Sequence, residues 1–178
     1  MGLQTGDLFA RTRPAGAWSM TVVIREMRDG DADSVAALVL GLARHVGTAV
    51  VPKLTAEALR AARDLIDVVV AEDEGRVIGA CLGLMTYSTW RGARGLYIVD
   101  LFVDSEVRGQ NIGLRLLRQS ARRAARQGAA FIKLEVDHGN PGAARFYERI
   151  GFRKKDEDRL FILEQDRLKE FISKGDGT

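Results

Sequence analysis

Cysteine, histidine and long apolar runs are scarce in this chain, and each scarcity excludes something. One cysteine, Cys81, stands among 178 residues. It can form no intrachain disulfide, which removes a disulfide-built secreted domain. A cysteine-based zinc centre goes with it, because only His45 and His138 could join it; no metal is expected. No uninterrupted apolar-plus-glycine run exceeds nine residues, the length of Val77 to Met85. A spanning helix needs about 20, so no membrane partner is expected. The first 20 residues lack the apolar stretch of a secretory signal, and a cytoplasmic location is expected. Acidic residues vanish between Glu106 and Glu135, a stretch that holds Arg108, Arg115, Arg118, Arg122, Arg123, Arg126 and Lys133. The net charge is only +3, but a local field of this kind attracts an anion.

What is present suits an ordinary globular chain, 46% hydrophobic and 29% charged. The length suits one domain with a core that needs no staples. Residues 1–20 have no periodicity and read as a loosely held arm; 21–173 read as one domain and 174–178 as a tail. Thr21–Met27 is predicted as a β-branched strand. Asp31 or Asp33 can cap a helix carrying Val35, Leu38, Val39, Leu42 and Val46 at helical spacing. Gly47–Leu54 reads as a loop, and Thr55 as the cap of a short helix to Ala62. Asp67–Ala71 and Arg76–Tyr87 read as a hairpin turned by Asp73-Glu74-Gly75, with Gly79 and Gly83 marking a bulge or a close backbone approach.

Leu96–Val103 is almost unbroken apolar sequence, which predicts a central strand covered on both faces. A helix follows from Ile112 to Gln127, its buried stripe expected at Leu114, Leu117, Ala121, Ala124 and Gly128. Ala129–Val136 is predicted as a strand. Pro141–Ile150 is predicted as a helix, with Asn140 at its cap and Gly151 past its end. Phe152–Arg153 and Leu160–Glu164 are strand candidates, and Gln165–Ser173 a terminal helix. The order is mixed α/β, one sheet with helices on both faces.

Arg108-Gly109-Gln110-Asn111-Ile112-Gly113 lies between the apolar strand and the arginine-rich helix. Glycines there let backbone N–H groups turn outward together at a helix N-terminus, which suits a pyrophosphate. A plain strand-to-helix turn also favours glycine. The P-loop pattern Gly-x-x-x-x-Gly-Lys-Ser/Thr is absent, and so is the nicotinamide pattern Gly-x-Gly-x-x-Gly.

The segments LYIVDLFVDSEVRGQNIGLRLL and IKLEVDHGNPGAARFYERIGF together resemble the GNAT superfamily of acetyl-CoA-dependent N-acetyltransferases. The first is similar to the family's Arg/Gln-x-x-Gly-x-Gly/Ala motif, the second to its strand–Asn–helix–Tyr-x-x-x-Gly-Phe ending. The resemblance covers roughly residues 21–165 and is sharpest from 96 to 152. STWRGARGLYIVDLFVDSEVRGQNIG is most similar to the diamine and thialysine acetyltransferase branch. One glycine of the motif is Asn111 here. Asparagine best tolerates left-handed geometry among non-glycine residues, so the turn is expected to survive.

This resemblance implies a mostly antiparallel central sheet whose fourth and fifth strands splay apart. It implies acetyl-CoA as co-substrate, with backbone groups of Leu101, Phe102 and Val103 along the pantetheine arm. The pyrophosphate is expected on Arg108, Gly109, Gln110, Asn111, Ile112, Gly113 and Leu114, with Arg115 near a phosphate. Asn140 is expected to meet the pantetheine arm. It shares a helix face with Tyr147, seven residues on, which is expected to be the general acid. Glu135 and Asp100 are the candidate bases.

Each of these residues also has a plainer reading. Asn140 caps its helix, Tyr147 packs the core, and Glu135 pairs with a surface cation. Asp100, inside an apolar strand, needs a reason to be there. The branch carries an acid before it, where Val99 stands, and Arg44–Leu54 has no acid for a second ammonium. The acceptor is therefore expected to be a primary amine: a small amine, a polyamine, a lysine-like side chain or an N-terminal amine, on a small molecule or a peptide. The competing reading is a catalytically idle acyl-CoA-binding sensor or interaction module of the same fold. Arg115, Arg118, Arg122 and Arg126 form a helical stripe read mainly as a solvated face. No aromatic residue interleaves it, so no nucleic-acid partner is expected. A homodimer is the expected assembly.

Overall fold

Five strands and five helices are described, in a computed structural model, over residues 22–46, 51–155 and 161–173. The proposed arm 1–20 and tail 174–178 lie outside the described residues. So do 47–50, within the loop after the first helix, and 156–160. Two compact units divide the chain between Asp137 and His138.

The first unit is the sheet and its three helices. β1 (Val23–Glu26), β2 (Asp67–Asp73), β3 (Arg76–Ser88) and β4 (Ala93–Val103) pair in that order, each antiparallel to the next; β5 (Ala129–Leu134) runs parallel to β4. The Glu74-Gly75 turn has φ of 48° and 83°, the left-handed pair of a tight hairpin. A 3-10 turn, Asp29–Asp31, leads into α1 (Ala32–Val46). α2 (Ala56–Ala61) starts where Thr55 accepts the Ala58 amide, as its sequence suggests.

Alternation sorts the sheet into two faces. Val68, Val70, Ala80 and Leu82 pack with Ala32, Val35, Val39 and Leu59 from α1 and α2. The opposite face meets α3 (Ile112–Arg126). There Gly79 is required, because a Cβ on it would lie 3.0 Å from the Phe102 carbonyl and 3.1 Å from Leu116. The buried stripe of α3 is Ile112, Leu116, Leu117, Ser120 and Ala124. The expected stripe is rotated from this: Leu114 and Ala121 are half-buried and Gly128 is exposed, because α3 sits on the small residues Gly79 and Cys81 of the sheet. The central strand is β3 rather than β4; Val77–Gly83 are all buried, whereas β4 loses one neighbour partway along.

Charge ties the elements at the sheet's far edge. Arg123 on α3 binds the Asp67 carboxylate at 2.7 Å and also reaches Glu26. Arg25 on β1 holds Asp31 at 2.6 Å and Glu72 through the same guanidinium. Arg115 donates to the Val22 carbonyl at 2.6 Å, while Arg118, Arg122 and Arg126 are exposed as the solvated-face reading requires.

The second unit holds α4 (Pro141–Arg149) and α5 (Gln165–Ser173). Gly151, with φ of 100°, ends α4. The strand candidates are not formed among the described residues. Phe152–Arg153 has no ladder, and Phe161–Glu164 is irregular and exposed; Leu160 lies outside the described residues.

Asp31 supplies a pH-dependent share of stability. The Arg25 guanidinium holds its carboxyl below the usual range, so the contribution is complete above about pH 4 and is lost as pH falls through the lowered folded-state value. Asp31→Asn should cost about 2 kcal/mol near neutral pH, the scale of a charged hydrogen bond. Urea unfolding of parent and variant at pH 7 and again near pH 3 should show the gap narrowing in acid.

Candidate active site

β4 carries one extra residue relative to β3. Leu82 pairs with Asp100 but Gly83 pairs with Ile98, which leaves Val99 as a bulge, 46% exposed. A bulge reverses which face the following side chains take. Before it, Leu96 and Ile98 face α3 and Tyr97 faces the α1 side. After it, Leu101 and Val103 face α3, within 4.0 Å of where a Gly113 side chain would begin, and Asp100 and Phe102 face the α1 side. The bulge therefore puts Asp100 on the same face as Tyr97.

At the same place the sheet opens. β5 pairs with β4 from Arg94 to Ile98 and no further. The start of that pairing depends on Gly95, since a Cβ there would lie 2.3 Å from the Phe131 ring. Beyond Ile98 the β4 backbone is paired with β3 only. The Asp104 amide donates to Ile78, so Val103 and Gly79 form a non-hydrogen-bonded pair, and by alternation so do Leu101 and Cys81. The backbone groups of Leu101 and Val103 thus face the open side, while those of Phe102 face β3. Arg108 donates to the Val103 carbonyl at 3.1 Å, and its guanidinium stands 5.7 Å from the centre of the Phe102 ring.

The turn into α3 begins with a 3-10 segment, Ser105–Val107, capped by Asp104 and anchored to β3 by the Arg76–Asp104 ion pair. Gly109 has φ of 82° and Asn111 φ of 58°, so both are left-handed. Asn111 does occupy the conformation its substitution for glycine had to survive. Its side chain makes no cap bond, and the first turn of α3 has no acidic residue. The amides at Ile112, Gly113 and Leu114 precede the first intrahelical bond, from Arg115 to Asn111, and have no helical acceptor. With the helix dipole they form an anion-ready corner.

Four side chains gather where β5 leaves β4. Burial, and with it the nearby Glu135 carboxylate, pushes the Tyr97 phenol pKa up. Lys133 lies 5.0 Å from the centre of the Tyr97 ring. Glu135, one residue past the end of β5, is exposed, as are Lys133 and Asp137, while Ile132, Leu134 and Val136 alternate inward. Asp100 has no hydrogen-bond or ion-pair partner among the described residues, and burial pushes its carboxyl up. Sequence reads Lys133 as one of a basic stretch and Tyr97 as a core or rim residue, and it does not bring the two together. The signal was their parallel register, which a one-dimensional pattern does not carry.

In the second unit, the Asn140 side chain accepts the Ala143 amide at 3.0 Å, so the cap is formed. Tyr147 is half-buried, edge to face with Phe146 at 5.1 Å and with Phe152 at 5.5 Å between ring centres. No group of three His, Cys, Asp or Glu among the described residues could hold a metal ion. Cys81 is buried, and burial pushes its thiol up to about 12.

A sheet that opens between parallel β4 and β5, beside an anion-ready helix start, defines the acetyltransferase class of α/β proteins. The chain belongs to the GNAT acetyltransferase family: the model described as Acetyltransferase (GNAT) family matches residues 43–152. Thialysine N-epsilon-acetyltransferase from Sus scrofa is 31% identical over 169 residues, 86% of this chain and 99% of that one. The protein of the same name from Bos taurus is 29% identical over 168 residues, 86% and 98% of the two chains. Among solved structures, an integron cassette protein from the mobile metagenome of V. cholerae aligns with a TM-score of 0.69 at 22% identity, over 86% of this chain and 99% of that one.

Asp100 gives the site a thermodynamic signature. Its raised folded-state value means that the native state binds the proton more tightly than the unfolded chain. Stability therefore falls as pH rises through the interval between the ordinary value, about 3.9, and the raised one. At pH 7 Asp100→Asn should raise the melting temperature, and below pH 4 the two proteins should melt alike. A variant that melts lower at pH 7 would show that Asp100 is a structural ion-pair residue.

Proposed function

We propose that this protein transfers an acetyl group from acetyl-CoA to a primary amine by direct attack. The observation that carries the reading is the open β4 edge, with Leu101 and Val103 presenting backbone groups, next to the unclaimed amides of the α3 start. An extended pantetheine arm can add to such an edge as a strand would. The pyrophosphate suits the amides from Arg108 to Leu114. Asn140 keeps its amide nitrogen as a donor while its oxygen caps α4, which is compatible with a contact to that arm.

The chemistry asks for a neutral amine, a stabilised oxyanion and an acid for the departing thiolate. A primary alkylamine has a pKa near ~10.4, so a base must take its proton. Asp100 and Glu135 stand at the strand parting for that task, and burial makes Asp100 a stronger base than a free aspartate. The nitrogen forms the new bond to the acetyl carbon as the carbon–sulfur bond breaks. A backbone N–H at Leu101 or Val103 is suited to the thioester oxygen. Tyr147 is the residue we assign to protonate the sulfur, on the strength of the family's motif position. A covalent acetyl-cysteine route has no support, since the one thiol is buried and held protonated.

Thiol release with a panel of primary amines tests the whole reading, and release no faster than background hydrolysis with every amine would leave the idle acyl-CoA-binding module. Tyr147→Phe keeps the edge-to-face packing with Phe146 and Phe152 and removes only the hydroxyl. Acetyl-CoA binding should change little and turnover should fall about 10²-fold. Parent-like turnover under saturating acetyl-CoA would make Tyr147 a packing residue.

Gly113 tests the cofactor corner separately. A Cβ there meets only Val103 at 3.7 Å and Leu101 at 4.0 Å, ordinary contacts, so Gly113→Val should leave the fold intact. Its branched side chain should raise the dissociation constant for acetyl-CoA at least 10-fold, about 1.4 kcal/mol. Unchanged calorimetric binding would put the phosphates elsewhere.

A further inference from the structure

One primary amine of this chain already stands on the face where an acceptor amine must arrive. Lys133 lies opposite Tyr97 in the parallel register, and its side chain leans across β4, with Nζ 5.0 Å from the centre of the Tyr97 ring. It is exposed and forms no ion pair among the described residues. A surface lysine ordinarily holds its ammonium out in water; here the aromatic face draws it toward the strand parting. Alternation puts Glu135, two residues on, on the same face. The bulge at Val99 puts Asp100 there as well. Both carboxylates stand close enough to the Tyr97 phenol to act on it through their charge.

Reach decides what this amine can do. Tyr97 pairs with Leu84 and Leu101 pairs with Cys81, so three ladder steps along β3 separate the two levels. At ~3.4 Å a step the separation is about 10 Å. A lysine stem spans about 6 Å from Cα to Nζ, five bonds of ~1.5 Å in zigzag. Laid along the parting, Lys133 brings Nζ to within about 4 Å of the Leu101 level, against ~3–3.5 Å for reacting atoms in near-attack geometry. The Leu101 backbone is where the thioester is proposed to lie.

We infer that Lys133 is a self-acetylation site, modified by the acetyl-CoA bound to its own chain. This rests on the acetyl-transfer reading, but it concerns a side chain of the protein and holds whatever the free acceptor is. The Lys133 ammonium gives one proton to Glu135 and thence to solvent. Nζ then forms a bond to the acetyl carbon, and the carbon–sulfur bond breaks. The nitrogen gives up a second proton as the departing thiolate takes one up. The products are Nε-acetyl-Lys133, free CoA and one proton released to solvent. The modified side chain is neutral, so its attraction to the Tyr97 ring is lost and the face becomes less cationic.

The test uses the full chain and acetyl-CoA with no amine added, followed by peptide mass spectrometry at several times. Lys53 and Lys169, both exposed, serve as internal references for uncatalysed acetylation. Lys133 should be modified at least ~10-fold faster than either, a small part of what held proximity can supply. The rate constant should not depend on protein concentration, and the preference should vanish in urea. Lys133→Arg, which keeps a cation over the ring, should remove that one acetyl group from the intact mass. Modification of Lys133 no faster than Lys53, a preference that survives urea, or a rate that rises with protein concentration overturns the inference. The amine panel run beside it separates the two readings. Turnover of an amine with Lys133 unmodified overturns self-acetylation and leaves acetyl transfer standing, whereas neither turnover nor modification overturns both.

Discussion

The one-residue excess of β4 over β3 at Val99 governs much of what the rest of the site can be. Strand side chains alternate with a period of two, so a single unpaired residue exchanges the faces of everything downstream. Without it Asp100 would point into the α3 layer, among Leu116 and Cys81, where an unpartnered carboxylate has no compensation. With it, Asp100 stands beside Tyr97 on the side where Glu135 and Lys133 also stand. The same bulge turns Leu101 and Val103 toward α3, where their side chains are half-buried and their backbone groups face the side β5 has left. One local insertion thus sets the carboxylate, the open edge and the approach to the α3 start together.

The opening is protected against closure by what lies on either side of it. Gly95 and Phe131 interlock at the start of β4–β5 pairing, because any side chain at position 95 would overlap the ring. β5 then ends at Leu134, and Glu135, beside Tyr97, joins no ladder. At the other end, Asp104 holds the chain to β3 through both its amide and its carboxylate. An exposed strand edge is usually a liability for aggregation. Here it is only a few residues long, between two anchors, with Arg108 across its last carbonyl.

Most of the elements were legible in the sequence because they rest on local chemistry. The Glu74-Gly75 turn, the Thr55 cap, the Asn140 cap and the limits of α3 and α5 follow from residues whose conformational preferences act over three or four positions. Asn111 is the sharpest case: its tolerance of positive φ could be argued from the residue type, and φ is 58°. What failed was non-local. The run LYIVDLFV reads as one continuous apolar strand and gives no sign of a bulge inside it. The stripe of α3 was misplaced because the small residues that receive it, Gly79 and Cys81, belong to another element. Phe152–Arg153 and Phe161–Glu164 have strand-like composition, yet among the described residues neither finds a ladder. The Tyr97–Glu135–Lys133 group was hidden for the same reason as the bulge, since parallel register is a property of two strands.

Burial explains why this family's chemistry suits the small polar set found here. A carboxylate raised by desolvation destabilises the fold, and a sheet opened at its middle forgoes ladder hydrogen bonds; neither helps the protein persist. Both features lie within the same few residues, Val99 to Val103 and the facing end of β5. The rest of the first unit compensates with conventional means: a continuous core between the sheet and α1, a second between the sheet and α3, and two half-buried arginines, Arg25 and Arg123, each joining separate elements. Those arginines sit toward the β1–β2 edge, away from the parting of β4 and β5. The sheet is therefore tied most firmly away from the parting, and the backbone groups of Leu101 and Val103 stay open at the edge that β5 has left.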